Sequence, residues 1–241
     1  METESFIKLL KKIDTLNSKL ILNEDKDIVN ELKIIYIKRF YAFSNSLLSL
    51  VPNLEANKYS IIAVGVILRT CMSDLITFYY LFGLKNSNPN EYESIIKRFM
   101  ADNLDHLHKD ISKIDDINER NKCFKIMKSK WPEYFEKSEN KVIKPFKKSV
   151  SEMAKEFIAN ESSIYKTAYG FYDYLSKFEH IGKLTFELQE FHENDTIENL
   201  KKIMVTYSLY LDSFISILNT FNVSNEMKNE MNEIIEIAVK I

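Results

Sequence analysis

The chain has 241 residues, 45% of them hydrophobic and 28% charged, a globular composition that can bury a substantial core in one large domain. Formal charge is −2, from 33 Lys and Arg against 35 Asp and Glu. That balance excludes a global attraction to nucleic acid or anionic membrane and leaves room for a local basic patch. Four glycines and four prolines supply few breaks, which implies long helices. The two cysteines, Cys71 and Cys123, lack metal-type spacing and fit a reduced, cytoplasmic compartment without a disulfide framework.

The first segment, METESFIKLLKKIDTLN, places acidic residues first and lysines on a helical period, unlike the order of a secretory signal. Helices are expected at about 3–22 and 25–51, the second ended by Pro52. The next, about 54–83, contains IIAVGVILRTCMSDLITFYYLF, 22 residues that could cross a bilayer of roughly 30 Å. Arg69 and Asp74 oppose insertion at roughly 2.5–3.5 kcal/mol each, against about 0.3–0.6 returned by each Ile, Val, Leu or Phe. The terms nearly cancel, no second such segment exists, and the expectation is a central bundle helix and no membrane partner.

Within that helix Arg69 is the only arginine in a strongly hydrophobic run. A guanidinium stays charged, so when buried it needs carboxylates, carbonyls or an anionic ligand. Asp74 lies five residues on, about 140° around the helix, so the two reach toward different helices. Arg69 is either an interhelical polar tie or a pocket arginine for a phosphate-like anion.

A helix at about 90–113 follows the NSNPN break and carries His106, His108 and Asp110 in HLHKD. On a helix the two histidines point about 200° apart and cannot share a metal; Asp102, His106 and Asp110 share one charged face. The chain has no Glu three residues before a His, no glycine-rich phosphate loop and no CxxC, so neither metal nor cofactor is expected. Residues 114–148 are the most polar and least periodic, with a helix at about 115–129, Trp131, Pro132, Pro145 and many lysines. They form an excursion from the bundle: a solvated connection pinned by the tryptophan, or a lid, arm or insertion.

Helices follow at about 145–160 and 162–181. On the latter Ile164, Ala168, Phe171, Leu175 and Phe178 make a core stripe, and Tyr165, Tyr169, Tyr172, Ser176 and His180 a second stripe in which every side chain has a polar atom. Gly182 suits a left-handed cap, leaving His180 in the last turn, where the helix dipole and neighbouring Glu179 favour imidazolium. KLTFELQEF (183–191) fits a strand or a helix equally. The last two helices are expected at 194–221, with Asp195 and Glu198 as a capping box, and at about 224–240. The fold expected is an all-α, single-domain bundle of about eight helices.

LRTCMSDLITFYYLF (68–82), followed about ninety residues later by YDYLSKFEHIG (172–182), resembles bacterial all-helical proteins in which Arg and a later acidic residue on one helix accompany a helix ending Tyr-x-x-Leu-Ser-x-aromatic-x-His. That set is similar to the HEPN superfamily, many of whose members are ribonucleases or nucleotide-associated partners in toxin–antitoxin and antiviral defence systems. The resemblance implies catalytic roles for Arg69 and His180, with Asp74, Tyr172, Ser176 and Glu179 in binding. It departs from the family in having no Arg four to six residues before a His; Arg98 and His106 come nearest, with Phe99 after the arginine. Asp74 stands where glutamate is usual. The expectation is a nuclease or nucleic-acid-associated module, with RNA or a nucleotide as partner and a homodimer or other protein assembly. The alternative is a non-catalytic interaction or regulatory protein.

Overall fold

The computed structural model describes residues 2–20, 27–54, 57, 60–136, 141–158, 163–176 and 196–240. Among these, nine α-helices follow in order: α1 (Glu2–Lys19), α2 (Ile28–Leu50), α3 (Ser60–Ser87), α4 (Tyr92–Ser112), α5 (Ile117–Lys130), α6 (Val150–Ile158), α7 (Ser163–Leu175), α8 (Thr196–Leu218) and α9 (Asn225–Val239). Short 3-10 turns at Val51–Asn53 and Pro132–Tyr134 follow α2 and α5. The protein is all-α; among the described residues the extended pairing is a single antiparallel bridge between Phe135 and Val142.

The chain divides into two compact units, one of Met1–Glu24, Lys33–Tyr79 and Val150–Ile241, the other of Asp25–Leu32 and Tyr80–Ser149. In the larger unit the periodicity of α8 buries Met204, Tyr207, Leu211, Phe214 and Leu218, and α2 buries Tyr36, Ile37, Phe40, Ser44 and Leu47. Phe40 stacks on Phe214 with centroids 3.9 Å apart and planes at 4°. Ser44 Oγ donates to the Phe40 carbonyl (2.7 Å) and also pairs with the Tyr207 hydroxyl (2.7 Å), so both buried hydroxyls are satisfied. α1 contributes Phe6, Leu10, Ile13 and Leu16 and lies along α9, where Met227, Met231 and Ile234 are buried. The Ser224 side chain caps α9 by accepting from the Met227 amide at 3.2 Å.

The smaller unit has its own core of Ala101, Ile111, Met127, Tyr134, Phe135 and Val142. The stretch expected as an excursion therefore holds structure: α5, capped by the Asp116 carboxylate on the amides of Asn118 and Glu119, and a turn that buries Tyr134. Trp131 is only partly buried there, and Tyr134 is the side chain that pins the segment.

Three boundaries differ by four residues or more from the sequence expectation, the first being the start of α3, at Ser60 rather than near 54. Residues 143–149 are irregular, and α6 starts at Val150 rather than near 145. Pro145 removes a donor and disfavours helix at Lys144, and the Phe146 amide donates instead to the Arg98 carbonyl at 3.0 Å. α3 runs to Ser87, four residues past the expected end, and stops before Pro89. α3 is the one described helix long and apolar enough to cross a membrane, with mean hydropathy 1.8 and 44% of that window buried in the protein. The 183–191 segment, Gly182 and Asp195 lie outside the described residues.

Candidate functional site

Arg69, on α3, meets Tyr172, on α7. Its Nη2 donates to the Tyr172 hydroxyl at 3.1 Å, and its guanidinium carbon lies 4.7 Å from the centroid of the same ring. Tyr172 offers this cation both a ring and a hydroxyl. Tyr169, one turn earlier on α7, stacks beside Tyr172 with centroids 6.1 Å apart and planes at 24°. The Tyr169 hydroxyl pairs with Ser151 Oγ of α6 at 3.1 Å. Both tyrosines are half-buried, so the ridge of Arg69, Tyr172 and Tyr169 keeps part of its surface open.

Asp74 turns elsewhere. Its carboxylate accepts from Arg39 Nε at 2.6 Å (Oδ2) and from Nη2 at 3.0 Å (Oδ1), a two-pronged pair with α2. The Tyr210 hydroxyl of α8 donates to Oδ2 at 3.4 Å. The Asp74 side chain is 15% exposed and Arg39 46%. Burial lifts the Asp74 carboxyl above the usual carboxylate range, and the Arg39 guanidinium and the Tyr210 hydroxyl hold it down against that. Burial also pushes the hydroxyls of Tyr36 and Tyr210 far up, so they act as neutral hydrogen-bonding groups. Tyr36 pairs with Ser213 Oγ at 2.6 Å, and Arg39 lies 5.2 Å from the Phe43 ring centroid.

The residues singled out from the sequence thus sort into four groups. Arg69 and Tyr172 come together across 103 positions. Asp74 belongs to a separate tie with Arg39, and Arg69 and Asp74 point to different helices, as their angular offset predicts. Ser176 Oγ donates back to the Asp173 carbonyl of α7 at 2.6 Å. Glu179 and His180, with the Tyr165 side chain, lie outside the described residues.

Sequence reasoning did not select Arg39. A signal existed, since Tyr36 and Phe43 flank it at i−3 and i+4, which sets the arginine at the edge of an aromatic face where a counter-charge is favoured. In HLHKD, His106 Nε2 sits 3.8 Å from Asp102 and the His108 ring lies against Phe124 at 4.7 Å, so the two imidazoles serve different surroundings. Among the described residues no group of three or more His, Cys, Asp or Glu is placed to hold a metal. A cavity of about 30 Å³ lies among Ile61, Leu68, Phe171, Leu175 and Ile203, with Lys202 and Thr206 also in its lining; it is mostly apolar and has room for roughly one water, far below a nucleotide.

An all-α protein with an arginine–tyrosine ridge and a separate, half-exposed ion pair is the class that fold and site define. Comparison with protein-family models, curated proteins and solved structures gives no match.

Proposed function

We propose that this chain is a nucleic-acid-associated helical module of the HEPN-like kind, serving a bacterial defence or stress system through Arg69, Tyr169, Tyr172 and Ser176. The observation that carries the reading is the Arg69 guanidinium held 4.7 Å from the Tyr172 ring centroid, with Tyr169 stacked beside it. Stacked aromatic faces accept unpaired bases at about 1–3 kcal/mol each, and a neighbouring cation attracts the phosphates between them. The defence or stress setting rests on the resemblance of 68–82 and 172–182. If bound RNA is also cut, His180 supplies the acid–base step and Arg69 stabilises charge on the phosphate.

Fluorescence anisotropy with a labelled 15-nucleotide single-stranded RNA tests this. Tyr172→Leu removes the ring, Arg69→Gln removes the charge, and each should weaken binding about tenfold, the equivalent of ~1.4 kcal/mol. RNA affinity unchanged in both variants, with helical content intact, contradicts the reading. Cleavage that persists in His180→Ala contradicts the catalytic part alone.

The second reading, a non-catalytic protein acting through dimerisation or partner binding, is favoured by the engagement of Asp74 with Arg39 and Tyr210. On that reading Arg69→Ala lowers the melting temperature while the unaltered chain binds no RNA.

A further inference from the structure

The 80–149 segment carries 15 Lys and Arg against 11 Asp and Glu, a net of +4, so the remainder of a chain of net −2 carries −6. The excess concentrates in KVIKPFKK, residues 141–148, with four lysines and no acidic residue. Lys141, Lys144 and Lys147 are exposed at every third position, while Val142 is buried and Phe146 half-buried. This strand of chain is fixed to α4 by two hydrogen bonds: Arg98 Nε donates to the Lys144 carbonyl at 3.0 Å, and the Phe146 amide donates to the Arg98 carbonyl at 3.0 Å. Phe146 stacks on Tyr80 at 6.3 Å and 25°, and Lys148 Nζ donates to the Tyr80 hydroxyl at 3.0 Å. Between the strand and α4 an open groove of about 540 Å³ is lined by Arg98, Asp105, Lys144, Pro145, Phe146 and Lys147.

We propose that this groove binds the phosphodiester backbone of a single-stranded nucleic acid, as a surface additional to the Arg69–Tyr172 ridge. Three of its six lining residues are cationic. Its one lining carboxylate, Asp105, accepts from Lys109 at 2.7 Å and stands 3.7 Å from Lys147, while Asp102 stands 3.9 Å from Lys147. Arg98, Lys144, Lys147 and Lys109 stand against Asp102 and Asp105, four cations to two carboxylates, so local attraction for a polyanion survives these neighbours. Lysines repeated along a line suit a ligand with repeated phosphates, whereas a lone phosphorylated side chain calls for cations converging on one point. A recessed groove admits a strand more readily than the flat face of a bilayer, and Phe146, the large apolar residue in its lining, is stacked on Tyr80 rather than presented for insertion. The groove needs no chemistry from His180; it rests on the nucleic-acid reading above for its class of ligand and is separable from the ridge by the variants below.

The test is anisotropy of the full chain with a labelled 15-nucleotide RNA across a salt series, for the native sequence, Lys144→Gln/Lys147→Gln, Lys144→Arg/Lys147→Arg and Arg69→Gln, with phosphatidylserine vesicles as a parallel arm. Both lysines are exposed, and circular dichroism checks that the helices persist in each variant. The Gln pair should weaken RNA binding about tenfold at moderate salt and lower the slope of log affinity on log salt by about 1.4, at roughly 0.7 per lost phosphate contact; the Arg pair should retain both. The groove is overturned if the native chain binds no RNA, if the Gln pair leaves affinity and slope unchanged, or if that pair loses only vesicle binding. Loss in Arg69→Gln alone keeps the ridge and overturns the groove, and loss in the Gln pair alone does the reverse.

Discussion

Asp74 and Arg69 show how two polar residues five positions apart on one apolar helix take different roles. Asp74 is nearly enclosed, and its charge is tolerated because Arg39 grips both oxygens. Removing one partner of a fully buried pair costs about 3–5 kcal/mol; Arg39 is half in solvent, so Arg39→Met should cost about 2 kcal/mol, read by urea unfolding. Because the cost arises from the stranded carboxylate, adding Asp74→Leu to Arg39→Met should recover most of it. Tyr172→Phe keeps the ring beneath Arg69 and removes one hydrogen bond, so a loss of about 1 kcal/mol or less is expected in the same measurement. The divergence of Arg69 and Asp74 was legible from helical angle alone. The residues that meet them were not, because Arg39 and Tyr172 lie on other helices, 35 and 103 positions away in sequence.

At the level of elements, α1 and α9 are joined by Lys12 with Glu233 at 2.6 Å and by Lys19 with Glu226 at 3.3 Å and with Glu230. The hydrogen bond from Lys12 holds the Glu233 carboxyl below its ordinary 4.5, and those to Glu230 and Glu226 hold the Lys19 ammonium above its ordinary 10.5. A lowered carboxyl contributes above 4.5 and is lost as pH falls through its folded value; a raised ammonium contributes below 10.5 and is lost as pH rises through its own. Amide exchange in α1 should therefore be slowest between about pH 4.5 and 10.5 once intrinsic rates are divided out, and Lys12→Ala should reduce the acid-side change. In the smaller unit Tyr134 is 2% exposed, and Tyr134→Ala should cost about 3 kcal/mol or more, with faster exchange in α4 and α5. Helix existence was legible because the 3.6-residue period of α8 is a local signal. The late start of α6 was not, since the Phe146 amide is satisfied by Arg98, 48 positions earlier, and a local reading cannot place that bond.

For the whole molecule, composition foretold an all-α fold, since a chain with so few glycines and prolines has long helices as its natural solution. Composition did not foretell two compact units, because their division runs inside α2 and α3, where no linker-like sequence marks it. The net charge of −2 likewise concealed a segment of +4. The near-cancelling insertion arithmetic of α3 came from the two charged residues near its middle, Arg69 and Asp74, and both have partners within the protein. The central claim, association with single-stranded nucleic acid, is tested most directly by hydrogen exchange of the full chain with and without a 15-nucleotide RNA. The account predicts slower exchange in residues 169–176 and 141–148 on RNA addition, with α9 unchanged; identical exchange in both segments at saturating RNA would contradict it.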